Sequence, residues 1–442
     1  MSTFHLVSLG CAKNLVDSEV ILGALDQSGW QLCEDPELAD VIIINTCGFI
    51  QPAVEEAIDE ILAMANIKKS RPGVKLVVCG CLVQRYRESL AAELPEVDLF
   101  LGTEAVAMVP ELLDKKVYDL SKKVILPPQY LMDAATPRII STPGFRAWLK
   151  ITEGCDNRCS YCMIPSIRGR LRSRPIDDLV AEATNLERAG VKELSLIAQD
   201  ITAYGNDLGR GTSLEKLLEQ LLQKTSIPWI RLLYLYPTGI SRKLIELVVN
   251  EQRIVPYLDI PFQHVSDNIL KKMNRPYGYR QLAELVEKLR GEIPDIALRT
   301  TFLVGFPGET EHDLGQLEQF MSRYKLDHVG VFAYANEPGA PSENFPGQLE
   351  EDEKNRRRDH LMGVQAELSG QVQQKYVGQT VPVLVEGVCR ETELLLEGRT
   401  KYQAPEVDGC VYINEGTAAA GDIVNVRIEE AKTYDLIGGI VA

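Results

Sequence analysis

The sequence contains no run of about 18 apolar residues, the length that a membrane-spanning helix needs. Its first residues, Met1 to Leu6, hold neither the basic cluster nor the apolar stretch of a secretory signal. We therefore expect neither a membrane segment nor an export signal. The expected location of the protein is the cytoplasm.

Positive charge is also scarce. The 442 residues include 47 lysines and arginines against 63 aspartates and glutamates, a formal net charge of −16. An acidic surface repels phosphate backbones and attracts basic partners. The balance argues against a nucleic-acid substrate and favours a basic protein as partner, although a local basic patch could override it.

A cytoplasmic protein has little use for disulfides, yet the sequence has ten cysteines. Cysteines in such a chain serve metal binding or redox chemistry more often than cross-linking. Their positions relative to the predicted strands then indicate which of them can share a site.

Residues 1–125 alternate between short apolar strands and helical segments. The predicted strands are Leu6–Leu9, Val41–Ile44, Leu76–Val78 and Leu99–Leu101, and the predicted helices cover 15–28, 52–68 and 84–93. Apolar strands separated by helices indicate a parallel sheet covered on both faces. This part is predicted to be a doubly wound α/β domain, followed by a proline-containing linker over 126–144.

Alternation of strands and helices resumes over 145–374 and ends in a long polar helix near 350–374. The six strand candidates are Ala147–Thr152, Glu193–Ile197, Ile230–Tyr234, Tyr257–Ile260, Leu298–Val304 and Val329–Tyr334. Six βα units are fewer than the eight of a closed barrel, so we predict an open, partial (βα)6 barrel of the TIM type.

The pattern changes again over 375–442. Short alternating strands with glycine turns occur at Val381–Val385, Glu393–Glu397 and Ile423–Arg427. They predict a small antiparallel β-barrel. The sequence thus predicts three domains, and the chain as a whole belongs to the α/β class.

Three cysteines, Cys155, Cys159 and Cys162, lie within eight residues, directly after the first strand of the predicted partial barrel. Structural zinc uses four ligands, usually as two separated pairs, and no fourth ligand is evident nearby. Thiolates also hold iron–sulfur clusters, and three protein ligands to a cubane leave one iron open for catalysis. An iron–sulfur cluster is therefore the favoured interpretation.

The C-x₃-C-x₂-C spacing before a βα array resembles the radical S-adenosylmethionine (SAM) superfamily. The resemblance implies that the open iron of a 4Fe-4S cluster binds SAM, and that one electron splits SAM to give a 5′-deoxyadenosyl radical. The segment Thr301–Thr310 is similar to the superfamily's late-strand segment, which lies near SAM. The resemblance therefore suggests Gly305 as a SAM contact.

A second group of cysteines is spread over the N-terminal domain. Cys11, Cys47 and Cys81 each directly follow a predicted strand. The carboxyl ends of parallel strands lie on one edge of a sheet, so these three are predicted to meet there and hold metal. Cys79 is the alternative to Cys81 as the third ligand, because both side chains point to the same face of a strand. Cys81 is preferred because it lies at the strand end.

With both groups, the whole chain resembles the methylthiotransferases, on the segments Ser8–Asn14, Asn45–Cys47 and Gly80–Leu82. The resemblance implies two 4Fe-4S clusters and SAM, with a C-terminal barrel of the TRAM type. It also implies that the N-terminal cluster carries the inserted sulfur, and that an external reductant, flavodoxin-like or similar, supplies electrons. No catalytic residue beyond the cluster ligands is predicted.

Two branches of that family compete as models for the substrate. One modifies an isopentenylated adenosine in transfer RNA, and the other the β-carbon of an aspartate in small-subunit ribosomal protein twelve. Three local sequences resemble the ribosomal-protein branch more than the transfer-RNA branch: Cys11–Asn14, Ala198–Asp200 and Gln263–Asp267. Residues 375–442 also hold 6 basic against 11 acidic residues, a net charge of −5, where an RNA-binding barrel should be basic.

Two questions remain open in the sequence. Arg168, Arg170, Arg172 and Arg174 alternate after the cysteine triplet and could either position an anionic ligand or form solvated ion pairs. A protein of another class, a non-catalytic iron–sulfur electron carrier or redox sensor, would also explain clustered cysteines. Three cysteines per site, rather than four, argue against that alternative.

Overall fold

The computed structural model describes residues 2–114, 123–209 and 211–441. The N-terminal strands are β1 (Thr3–Ser8), β2 (Gln31–Leu32), β3 (Val41–Thr46), β4 (Lys75–Gly80), β5 (Leu99–Leu101) and β6 (Lys123–Val124). They form one sheet in the order β2-β1-β3-β4-β5-β6, and every pairing is parallel. The four predicted strands are all present, and the two that were not predicted are edge strands of two residues.

Helices cover both faces of this sheet: α1 (Ala12–Gln27), α2 (Gln51–Ser70), α3 (Cys81–Glu93) and α4 (Val109–Asp114). Alternate residues of β3 and β4 face α1 and α4 on one side and α2 and α3 on the other. Because both faces are buried, these strands are apolar throughout and not alternating. The doubly wound α/β prediction is confirmed.

The central part contains β7 (Arg146–Lys150), β8 (Thr152–Glu153), β9 (Arg172–Ser173), β10 (Glu193–Ile197), β11 (Trp229–Leu232), β12 (Ile254–Asp259), β13 (Ala297–Val304) and β14 (His328–Ala333). Six of these strands pair in parallel in the order β14-β13-β12-β11-β10-β7, and β8 and β9 form a separate two-stranded sheet. The sheet is open at β7 and β14, as the predicted partial barrel requires.

Its helices are α5 (Ile164–Ile167), α6 (Ile176–Arg188), α7 (Leu214–Lys224), α8 (Arg242–Asn250), α9 (Asp267–Lys272), α10 (Tyr279–Glu292), α11 (Glu311–Tyr324) and α12 (Glu351–Gln373). Leucines and valines of α6, α7 and α8 pack with those of the strands in one large apolar core. The long polar helix predicted near 350–374 is α12. It packs beside β14, the last strand of the open sheet.

The C-terminal strands are β15 (Thr380–Val388), β16 (Leu396–Thr400), β17 (Val411–Glu415), β18 (Ile423–Ala431) and β19 (Leu436–Ile440). They close into a barrel in the order β15-β16-β17-β19-β18. Four pairings are antiparallel, as predicted, but β17 and β19 pair in parallel. The strand predicted at Glu393–Glu397 begins later, at Leu396, because the preceding residues form a turn.

This barrel packs against the inner face of the open central sheet. Glu193 of β10 is fully buried, with Oε1 2.5 Å from Arg231 Nε of β11 and Oε2 2.6 Å from Arg399 Nη2 of β16. Tyr257 of β12 donates its hydroxyl to Asp408 Oδ2 at 2.7 Å. The C-terminal barrel therefore closes one part of the concave face, and α1 packs at another through Val16 and Val20.

None of the helices that the structure describes is long and apolar enough to cross a membrane. The domain boundaries inferred from the sequence stay a prediction.

Candidate active site

The three dispersed cysteines of the N-terminal domain lie together at the carboxyl edge of its sheet. Cys11 caps the start of α1, Cys47 follows β3, and Cys81 is the first residue of α3. Each thiol is close enough to act electrostatically on another member of the group. The topology of parallel strands therefore brings these residues together, as the sequence predicted.

Glycines allow the three loops to approach one another. A Cβ on Gly10 would lie 2.7 Å from Cys47 Cβ, and a Cβ on Gly48 would lie 2.6 Å from Leu82 Cα. Gly10 also has a φ of +94°, which a residue with a side chain rarely adopts. The loops that carry Cys11, Cys47 and Cys81 thus pack with no space for a methyl group between them.

Cys79, the rival of Cys81, has a different environment. It is fully buried within the apolar core beneath α1 and α4, where burial, Asp17 and Cys81 raise the pKa of its thiol far above the ordinary value. Cys81 interacts with both Cys11 and Cys47. This geometry favours Cys81 as the third ligand, and the assignment stays a prediction.

The thiols of this group differ in acidity. Burial raises the pKa of Cys81 to about 12. Cys11 is exposed. Desolvation by the surrounding protein acts to raise the pKa of its thiol, but the ammonium of Lys13, the backbone N–H of Asn14 and the guanidinium of Arg168 outweigh it and lower the pKa below its ordinary value. Cys11 is thus the member of the group that is most readily a thiolate.

The cysteine triplet occupies the loop after β8. Gly154 has a φ of +70°, and a Cβ on it would lie 2.6 Å from the carbonyl oxygen of Gly169, so the loop begins in close contact with the chain that returns from α5. The backbone N–H of Cys155 donates to that same carbonyl at 3.1 Å. Cys155, Cys159 and Cys162 act on one another electrostatically, and burial raises the pKa of Cys155 to about 11. The three thiols therefore converge.

Arg168 connects the triplet loop with the N-terminal cysteines. It follows α5, is 3% exposed, and its Nη2 lies 3.2 Å from Cys81 Sγ. Its Nη1 lies 2.7 Å from Asp17 Oδ2 on α1 and 3.3 Å from Glu153 Oε1, two residues before Cys155. One side chain thus contacts a predicted ligand of one site and the residues that support both sites.

Lys150 completes this buried charge network. Its Nζ lies 2.5 Å from Asp17 Oδ1 and also contacts the Glu153 carboxylate. Burial acts to raise the pKa of Glu153, but Lys150 and Arg168 outweigh it and lower it. Two acids and two bases therefore form a buried ion-pair network between the domains.

Gly305, the residue suggested as a SAM contact, directly follows β13 at the carboxyl edge of the central sheet. Its φ is +77°, and a Cβ there would collide with the Lys354 side chain of α12. Its backbone N–H donates to Glu309 Oε2 at 2.8 Å. Glu309 is in turn held by Arg357, whose Nη1 lies 2.9 Å from Oε1. The role of Gly305 as a SAM contact thus stays a prediction. The loop that carries it is fixed by α12.

Sequence reasoning gave no role of its own to Lys13, which counted only as part of a motif. In the structure its Nζ lies 3.3 Å from the ring centroid of Tyr234, which follows β11. Lys13 is therefore a residue of the N-terminal domain at the carboxyl edge of the central sheet. The one available signal was its position two residues after Cys11.

The donor atoms of both cysteine groups fit iron–sulfur clusters. Among the described residues no group of three histidine, cysteine or acidic side chains is close enough to hold one metal ion. A cubane is larger than an ion, so its three thiolates lie farther apart than ligands to one ion do. Both cysteine groups supply thiols alone, the donors that iron–sulfur clusters take.

Three family models match successive parts of the chain. These are the uncharacterized protein family UPF0004 over residues 3–102, the radical SAM superfamily over 149–321 and the TRAM domain over 377–441. The second match confirms the predicted superfamily, which uses SAM and a 4Fe-4S cluster. The third confirms the predicted type of C-terminal barrel.

Solved structures agree on the fold. The radical SAM methyltransferase TsrM from Kitasatospora setae, with cobalamin and a [4Fe-4S] cluster bound, superposes with a TM-score of 0.58 at 14% identity, over 86% of this chain and 81% of that chain. The cobalamin-dependent SAM radical enzyme OxsB superposes with a TM-score of 0.52 at 12% identity, over 82% of this chain and 56% of the other.

Curated relatives match over nearly the full length. A ribosomal protein uS12 methylthiotransferase RimO from Desulfotalea psychrophila is 59% identical over 440 residues, which is 99% of each chain. The protein of the same name from Pelobacter propionicus is 51% identical over 98% of this chain and 97% of that one. The chain therefore belongs to the ribosomal protein uS12 methylthiotransferase RimO family of radical SAM enzymes.

Proposed function

We propose that this protein adds a methylthio group to the β-carbon of an aspartate in ribosomal protein uS12. The observation that carries the proposal is the pair of three-cysteine groups joined through Arg168, which contacts Cys81 and also Glu153, next to the Cys155 loop. Methylthiolation needs a radical that abstracts hydrogen from a C–H bond and a sulfur that then bonds to that carbon. Two adjacent sites suit these two steps.

Each group of cysteines would hold one 4Fe-4S cluster. Cys155, Cys159 and Cys162 would bind the cluster that cleaves SAM, and Cys11, Cys47 and Cys81 the one that carries the transferred sulfur. When bound, the clusters would supply the electron for SAM cleavage and the sulfur for insertion, and a second SAM molecule would supply the methyl group. The buried network of Asp17, Lys150, Glu153 and Arg168 would hold the two loops in a fixed relation and exclude water between them.

The charge of the C-terminal barrel supports a protein substrate. Residues 375–442 carry a net charge of −5, and among their lysines and arginines Arg399 is buried against Glu193. An acidic surface of this kind would attract a basic ribosomal protein and repel RNA. The proposed partner is therefore uS12, with electrons supplied by a separate flavodoxin-like or similar reductant.

The test uses the full chain, reconstituted anaerobically with iron and sulfide and supplied with SAM and dithionite. It is offered uS12 and, separately, transfer RNA that carries isopentenylated adenosine. We expect 5′-deoxyadenosine release and a methylthio mass gain on the target aspartate of uS12. A mass gain on transfer RNA alone would assign the other branch, and intact clusters without 5′-deoxyadenosine would indicate an electron carrier or sensor.

A further inference from the structure

Lys13 lies where the two halves of the proposed site meet. It is the second residue of α1, two residues after Cys11, and it is 9% exposed. Its ammonium lies 3.3 Å above the ring of Tyr234, which belongs to the central domain. A lysine of the N-terminal domain therefore reaches the edge of the central sheet on which the Cys155 loop also lies.

Tyr234 is held firmly in the position that receives this ammonium. It has a φ of +64°, a conformation that residues with side chains seldom adopt. Its backbone N–H donates to Asp259 Oδ2 at 3.1 Å, and its carbonyl accepts from the backbone N–H of Ile201 at 3.1 Å. Two neighbouring strand ends thus fix a half-buried ring beneath the cation.

The ammonium lies over the ring of Tyr234 and near the hydroxyl of the same residue. Asp259, whose charge acts on Lys13, is paired with Arg299 Nη1 at 2.9 Å. Among the described residues no carboxylate forms an ion pair with Lys13. An almost buried ammonium of this kind is suited to an anionic ligand, because a charge-assisted hydrogen bond away from bulk water is a strong one.

We propose that Lys13 binds the side-chain carboxylate of the target aspartate and so determines specificity for that residue. The inference rests on the proposed function. The carboxylate of aspartate is bonded directly to the β-carbon, so fixing it fixes the carbon that is to be modified. Because Lys13 is two residues from Cys11, that carbon lies beside the site that would deliver sulfur. The carboxylate also distinguishes aspartate from asparagine, which has the same shape without the charge.

The experiment is a double-mutant cycle between the protein and its substrate. A fluorescent peptide of the uS12 target loop is prepared with aspartate or with asparagine at the target position. Dissociation constants are measured by anisotropy with the reconstituted protein and SAM, in the absence of reductant. We expect the original protein to bind the aspartate peptide about tenfold or more tightly than the asparagine peptide, and Lys13→Met to bind both equally.

Two further variants bracket this result. Lys224→Met removes an exposed lysine at the end of α7 and changes net charge equally, so its preference for aspartate should match that of the original protein. Tyr234→Leu leaves α1 intact but removes the ring beneath the ammonium, and its preference should fall several-fold. If Lys13→Met loses iron or helical content, Tyr234→Leu and Lys13→Arg, which keeps a cation, decide the question.

The outcomes separate the two proposals. If the original protein does not methylthiolate uS12, the proposed function fails. If it does methylthiolate uS12, but Lys13→Met still prefers the aspartate peptide, then Lys13 only connects the domains and the inference is overturned. Where Lys13→Met is misfolded, a preference that persists in Tyr234→Leu overturns the inference in the same way.

Discussion

The Nη2 atom of Arg168 lies 3.2 Å from the Sγ atom of Cys81, although the two residues belong to different domains. Arg168 is also 2.7 Å from Asp17, two turns into α1, and 3.3 Å from Glu153, beside the Cys155 loop. Its position therefore couples the packing of the domains to the geometry of both cysteine groups. A substitution of Arg168 should therefore change both the packing of the domain interface and the geometry of the two cysteine groups.

Arg168→Met should destabilise the cluster-free protein by about 3–5 kcal/mol, because it leaves Asp17 and Glu153 buried with only Lys150 to balance them. The measurement is the midpoint of urea unfolding. Arg170→Met is the matched control, since Arg170 is 88% exposed and pairs with the half-exposed Asp156. Its midpoint should stay close to that of the original protein, because an exposed ion pair contributes little to stability. Equal midpoints for both variants would contradict the role of the buried network.

Cys81→Ala should lose about half of the iron and sulfide of the reconstituted protein, because it removes one of the three proposed ligands to the proposed N-terminal cluster. Cys79→Ala should retain nearly all of it, since Cys79 lies in the core beneath α1. Iron and acid-labile sulfide per chain are measured after anaerobic reconstitution. The reverse pattern would make Cys79 the ligand.

Close packing around Cys47 gives a separate prediction. Gly48→Ala would place a methyl group 2.6 Å from Leu82 Cα and 2.7 Å from its backbone nitrogen, so either the Cys47 loop or the start of α3 must move. The variant keeps all of its cysteines. We nevertheless expect a chelator to remove part of its iron at a higher rate than it removes iron from the original protein. Gly73→Ala, in the same domain, meets nothing within 4 Å and should leave this rate unchanged. Equal rates for both variants would show that the loops are not tightly coupled.

The fold was largely predictable because its signals are local. Apolar strands such as Val41–Thr46 and Leu99–Leu101 are buried on both faces, and Leu214–Lys224 carries leucines at helical spacing, so their patterns survive in the sequence. Parallel topology then places Cys11 and Cys47 at one edge. The parallel pairing of β17 with β19 could not be read from alternation, since alternation does not reveal strand direction.

The contacts between domains could not be predicted. Alternating arginines at 168–174 look alike in the sequence, yet Arg168 and Arg174 are buried in ion pairs while Arg170 is exposed. Which of them is buried depends on acids far along the chain, such as Asp17. Lys13 was missed for the same reason, because its partner Tyr234 is more than two hundred residues away.

The docking of the C-terminal barrel should depend on pH through Glu193. Burial acts to raise the pKa of this carboxyl, but Arg231 and Arg399 outweigh it and lower the pKa to about 2. A carboxylate whose pKa is lowered by folding stabilises the protein fully above its unfolded pKa of about 4.3 and loses that effect as the pH falls towards the folded pKa. The contribution at neutral pH is about 3 kcal/mol, from a shift of roughly two units.

Glu193→Gln should therefore unfold at lower urea concentration than the original protein, by a difference that is constant above about pH 5 and shrinks between about pH 4 and pH 2. Unfolding midpoints across this range provide the measurement. Glu406→Gln serves as control, because Glu406 is 50% exposed and pairs with Arg146 at the barrel surface, so its difference should be small throughout. A Glu193→Gln difference that persists undiminished to about pH 2 would mean that the carboxylate charge does not hold the barrel in place, and that packing around Arg231 and Arg399 does.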